Sequence, residues 1–91
     1  MVKGKTTSGF EFQYDPKIFD DMEFLDMLVE AENGNDAESI RAYSTLVFKL
    51  LGKEQRKKLY DSLRVEDGRV PIEAVKKEIA EIMAYSPEGK N

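Results

Sequence analysis

The chain has 91 residues, 41% of them hydrophobic and 35% charged, with a formal net charge of −4 and a mean hydropathy of −0.54. That is one small, highly charged domain with enough apolar side chains for a lean core. With no cysteine and no histidine, disulfides, thiolate and imidazole metal sites, thiol nucleophiles and the usual general base are excluded. No apolar run approaches the roughly 18 residues of a membrane span, and no secretory leader is expected.

The charge is unevenly spread. Residues 1–35 carry −5, residues 36–64 carry +3 and residues 65–91 carry −2. An acidic chain with one modest basic segment is a poor match for a phosphate backbone. That segment contains Lys53, Arg56, Lys57 and Lys58, and it reads either as a solvated helix face or as a docking patch for an acidic partner surface.

Taken in chain order, Phe10, Phe12 and Tyr14 alternate with Glu11 and Gln13, a period of two that sets three aromatics on one face of a strand. The turn signal Thr7-Ser8-Gly9 lets residues 2–6 pair back as a hairpin. A two-stranded hairpin is marginal alone, so its aromatic face is expected on helices. The first helix has two possible starts, Asp15-Pro16 or Asp20 with Glu23, and is expected to end near Glu32. Ile18, Phe19, Met22, Leu25, Leu28 and Val29 form the stripe expected to face the core. Phe24, Met27 and Ala31 fall on the opposite side. Phe24 and Met27 are thus either covered by the hairpin or exposed as an apolar patch ringed by acids, and in the second case they are candidate partner-binding residues.

The second helix is expected from an Asn35 or Asp36 cap to Gly52, with Leu46, Val47, Leu50 and Leu51 in the core. Ile40, Tyr43 and Phe48 widen its apolar arc, so it reads as central and packed on two sides. A third, polar helix over 53–64 turns only Leu59, Tyr60 and Leu63 inward. Glu66-Asp67-Gly68-Arg69 is a turn, and Pro71 is expected at N1 of the last helix, whose stripe is Ile72, Val75, Ile79, Ile82 and Met83. Glu73 and Lys77 are spaced as an i,i+4 ion pair. The fold class is therefore mainly α: a compact bundle of three to four helices with a small N-terminal β-hairpin, a single domain over 1–85 and a flexible tail over 86–91.

Chemistry-bearing motifs are scarce. Aligning Gly68 with the glycine of an EF-hand places Leu63, Val65 and Ala74 at ligand positions, which none can fill. Asp20, Asp21 and Glu23 read as helix caps and dipole partners. The glycines form neither a phosphate loop nor a dinucleotide fingerprint. The expectation is a non-enzyme with no catalytic, cofactor-binding or metal site.

Three stretches in order, Thr7-Ser8-Gly9-Phe10-Glu11-Phe12, Leu46-Val47-Phe48-Lys49-Leu50-Leu51-Gly52 and Glu66-Asp67-Gly68-Arg69-Val70-Pro71, resemble the small tail assembly chaperones of long-tailed bacteriophages and prophages of Gram-positive bacteria. The resemblance covers roughly residues 6–84. It implies binding to the tape measure protein, whose apolar helical segments are kept soluble during tail assembly, and recruitment of tail tube subunits. An exposed apolar patch, for its part, would also serve self-association. Neither nucleic acid nor membrane is implied, and the expected location is the cytoplasm of the bacterial host, with the protein absent from the mature virion. Some members of that family are also made with a longer C-terminal extension by ribosomal frameshifting. The competing readings are a small phage structural or head-tail connector protein retained in the particle, and a helix-turn-helix regulator, which the net charge and the apolar second helix disfavour.

Overall fold

A computed structural model describes residues 1–33 and 36–85. Strands β1 (Val2–Lys5) and β2 (Glu11–Tyr14) pair antiparallel, with Val2 opposite Tyr14 and Gly4 opposite Phe12. A 3-10 helix (Pro16–Asp20) leads into α1 (Met22–Glu32), followed by α2 (Ala37–Leu63) and α3 (Ile72–Ala84). The class is mainly α with a two-stranded N-terminal hairpin, as the periodicities require.

Each boundary has a local cause. At the hairpin turn, Gly9 takes φ 97°, the Gly9 N–H donates to the Thr6 carbonyl at 2.9 Å, and the buried Thr6 hydroxyl accepts from Phe10 N–H at 3.2 Å. Of the two expected starts of the first helix, one is used and the other is shifted by one residue. Asp15 caps the 3-10 helix through Lys17 N–H at 3.0 Å. The chain then extends at Asp21, whose carboxylate caps α1 through Glu23 N–H at 2.9 Å. The cap is Asp21 rather than Asp20, one residue later than the capping-box spacing suggests.

Asp36 caps α2 by accepting from Ser39 N–H at 2.9 Å; the alternative cap, Asn35, lies outside the described residues. The helical path breaks at Gly52 as expected: α2 is two helical segments meeting end to end at a bend there, because Gly52 adopts φ 85°, ψ 171°, a region open essentially to glycine alone. Val65 to Gly68 closes as a turn, with Gly68 N–H on the Val65 carbonyl at 3.0 Å. Pro71 is the N-cap of α3 rather than its first helical residue.

The core lies between the hairpin's aromatic face and the three helices. Phe10, Phe12 and Tyr14 are buried with Phe24, Leu46, Val47, Leu50, Leu51, Leu59, Val75, Ile79 and Ile82. Tyr85 meets Phe12 edge-on, with ring centroids 5.3 Å apart, and lies flat over Gly4, where a Cβ would come within 2.5 Å of its ring. Gly4 is thus a packing position that a side chain would obstruct. Thr7 donates from its N–H and its hydroxyl to the Glu81 carboxylate at 2.8 and 2.7 Å, which ties the hairpin turn to α3. The expected tail at 86–91 lies outside the described residues.

Three core expectations fail at their edges. Ile72, at the first position of α3, is exposed, as are Ile40 and Phe48 on α2. Lys76 rather than Lys77 approaches Glu73, at 3.9 Å.

Candidate functional site

The sequence predicts a contact surface rather than a reaction centre, and the geometry of α1 decides where that surface lies. With 3.6 residues per turn, α1 has two apolar arcs on opposite sides. One holds Phe24, Met27, Leu28 and Ala31; the other holds Met22, Leu25 and Val29. Of the expected stripe, Ile18 and Leu28 do pack against the core, but Met22, Leu25 and Val29 are exposed, and the first arc faces inward. Phe24 is 0% exposed and Met27 is half-buried against the core.

Aromatic packing supplies the reason. Phe19 meets Tyr14 edge-on at 5.6 Å and Phe24 at 5.8 Å, so a relay of three rings runs from the hairpin into the α1–α2 interface. A phenyl ring buries more apolar area than a valine or methionine side chain can. The chain therefore seats Phe24 and leaves the smaller arc outside. The candidate partner-binding pair Phe24 and Met27 is corrected accordingly: Phe24 belongs wholly to the core, and Met27, half-buried, packs against it.

The displaced stripe forms an exposed ridge. Met22 is 70% exposed, Val29 61%, Leu25 41% and Phe19, at its N-terminal end, 40%. Carboxylates edge it on both sides, Asp26 and Glu30 along one and Glu32 along the other, and α1 contains no basic residue. The N-terminal end is pinned to α2: Lys49 Nζ donates to Asp21 at 3.2 Å and lies 3.6 Å from Glu23. The Lys49 hydrogen bond, assisted by backbone donors at the helix start, holds the Asp21 carboxyl below the usual aspartate range, and the same contact raises the lysine.

A second apolar surface lies where no single predicted stripe points. Ile40, Tyr43 and Ser44 of α2, Tyr60 beyond its bend, Val70, Ile72 and Val75 line a cleft of about 180 Å³. Two cations rest on its rings: Lys76 Nζ is 6.0 Å from the Tyr43 centroid and the Arg56 guanidinium 5.9 Å from that of Tyr60. Tyr43 donates its hydroxyl to the Lys76 carbonyl at 3.3 Å. Burial, with Glu32 and Glu73 nearby, pushes its phenol up to about 12. Periodicity assigns Ile40, Tyr60 and Ile72 to inward stripes or arcs, and only the bend at Gly52 brings their partly open sides together, so no local pattern marks the cleft.

The four basic candidates do not act as one patch. The Arg56 guanidinium is engaged, 5.0 Å over the exposed Phe48 ring and donating to the Ser44 carbonyl at 3.3 Å. Lys57 pairs with Asp61 at 2.8 Å. Lys53 and Lys58 are exposed, and Lys58 borders a groove beside the hairpin turn at Gly9–Glu11.

Among the described residues, no group of three or more Asp or Glu side chains could hold a metal ion, and no helix is long and apolar enough to cross a membrane. Comparison with known proteins finds no matching family model, no matching curated protein and no matching solved structure.

Proposed function

We propose that this chain is a non-enzymatic tail assembly chaperone of a long-tailed phage or prophage, which binds the tape measure protein and keeps its apolar helical segments soluble in the host cytoplasm while the tail forms. The observation that carries this reading is the exposed Met22–Leu25–Val29 ridge on a chain in which 35% of residues are charged. A holdase needs those two properties together. Its charge keeps the complex in solution, and an apolar strip takes up the side chains that would otherwise aggregate. The three sequence stretches that resemble the family support the assignment independently of the ridge. In the structure they form the hairpin turn and first half of β2, the core of α2 up to its bend, and the turn before α3.

The test is co-expression with fragments of a phage tape measure protein, with the fraction of each fragment in the soluble lysate as the readout. The expected result is soluble fragment that co-purifies with this chain, together with absence of the chain from purified particles. A fixed copy number in purified particles would establish the structural or connector role instead.

A further inference from the structure

We infer that the outer face of α1 is a docking surface for a cationic amphipathic helix, one whose apolar stripe is edged with Lys or Arg. This rests on the chaperone reading for the partner's identity and on the surface itself for the partner's chemistry. Met22, Leu25 and Val29 stand at i, i+3 and i+7, so they form a straight ridge of two turns, about 10 Å long at 1.5 Å per residue. It points away from the core, and the side chains are 70%, 41% and 61% exposed. Such a ridge fits the groove between neighbouring side-chain rows of a second helix.

Charge selects the kind of helix. Residues 1–35 carry a net charge of −5, and α1 has no cation of its own. Asp21 and Glu23 are engaged by Lys49. Asp26, Glu30 and Glu32, all exposed, make no ion pair among the described residues. A helix with Lys or Arg beside its apolar stripe would meet carboxylates on both flanks, whereas an anionic helix would be repelled. The same reasoning disfavours a second copy of this chain docked α1 to α1, because that arrangement sets acid against acid. The cleft between α2 and α3 gives no comparable selection, since Arg56, Lys76 and Glu73 all lie close to it.

The probes are three helical peptides of equal length: leucines edged by lysines, leucines edged by glutamates, and serines in place of the leucines with the lysines kept. Fluorescence anisotropy gives their affinities for the full chain. The Leu/Lys peptide is expected to bind about tenfold or more tighter than either control, and Met22→Ser/Val29→Ser is expected to weaken it about tenfold or more with an unchanged melting curve. Asp26→Asn/Glu30→Gln should weaken it severalfold and flatten its salt dependence.

Equal binding of the Leu/Lys and Leu/Glu peptides overturns the proposal, as does equal binding of the Ser/Lys peptide. So does a loss of binding caused by Ile72→Ser in the cleft but not by the ridge variant. Should the double variant unfold, Val29→Lys alone poses the same question. A wild-type dimer that the ridge variant converts to monomer would assign this face to self-association and end the proposal. Co-expression separates the two ideas. Tape measure fragments kept soluble equally by wild type and ridge variant leave the chaperone role and remove this face. Peptide captured at the ridge with every fragment insoluble leaves the face and removes the role.

Discussion

The side-chain amide of Gln55 pairs with both backbone groups of Gln13: its Oε1 accepts from the Gln13 N–H at 2.8 Å and its Nε2 donates to the Gln13 carbonyl at 2.7 Å. One side chain thereby occupies the open edge of β2, as a third strand would. An uncovered strand edge is a template for pairing with other chains, and the hairpin needs a partner surface to be stable. Gln55 lies just beyond the bend of α2, so the bend and the hairpin are mechanically linked.

Gln55→Ala is therefore expected to lower stability by about 1–2 kcal/mol, two partly exposed hydrogen bonds being worth about 0.5–1.5 kcal/mol each. Hydrogen exchange at Gln13 should accelerate more than exchange within α3. Unchanged protection at Gln13 would mean that the hairpin does not depend on this contact.

Gly52 is the second device at that junction. Its φ of 85° and ψ of 171° lie outside the left-handed helical basin that Asn tolerates. Gly52→Ala is expected to cost about 1–3 kcal/mol, a loss of several degrees in Tm for a domain of this size. Gly52→Asn should be no better, and this distinguishes the extended positive-φ region from an ordinary helix C-cap. A Gly52→Asn melt close to wild type would show that the bend relaxes to the helical basin.

Much of this architecture was legible because each feature has a local cause. The period of two in Phe10, Phe12 and Tyr14 marks the buried face of β2, and Asp36, Gly52 and Gly68 mark a cap, a bend and a turn. The facing of α1 was not legible. Its two apolar arcs are nearly opposite each other, and helical periodicity cannot rank one above the other. The choice is made by Tyr14 and Phe19, which reach Phe24 only once the hairpin has folded onto the helices. Ile72 fails for a related reason: it continues the stripe of α3, but at the first turn that stripe has already passed the end of the core. The cleft depends on the bend at Gly52 bringing Tyr60 beside Tyr43, a relation among residues 17 positions apart that no short window contains.

Stability should hold on the acid side down to the carboxylate range and then fall. Asp21, Asp36, Asp61, Asp67 and Glu81 are each held below their ordinary values by hydrogen bonds: from Lys49 and backbone donors for Asp21, from Ser39 for Asp36, from Arg64 and Lys57 for Asp61, from Arg69 for Asp67 and from Thr7 for Glu81. A depressed folded-state value means that the unfolded chain binds protons first. The stabilisation is complete above the unfolded values, near pH 4–4.5, and is lost as pH drops through the folded ones. At the alkaline end, Tyr43 is raised to about 12. Its contribution is complete below the unfolded value of about 10 and lost as pH climbs from there toward 12. Tyr43→Phe should remove the highest step in the ultraviolet titration of the phenols. A Tm that rises steadily from pH 7 to pH 3 would contradict the acid limb.

Glu78 gives the last prediction. It sits on α3 between Val75 and Ile82, is only 4% exposed, and its Oε1 has no hydrogen-bond partner among the described residues. A buried acceptor left unmade carries a desolvation cost of about 1–3 kcal/mol. Replacing it by an apolar group of similar shape relieves that cost without opening a cavity. Met is the closest unbranched match and adapts to irregular spaces. Glu78→Met is expected to raise Tm, or at least leave it unchanged, whereas Glu78→Ala should lower it, because the space would no longer be filled. The same comparison separates packing from polarity. If Met and Ala were equally destabilising, the carboxylate itself would be contributing, and the unpaired oxygen would have to be held by an interaction that apolar volume cannot replace.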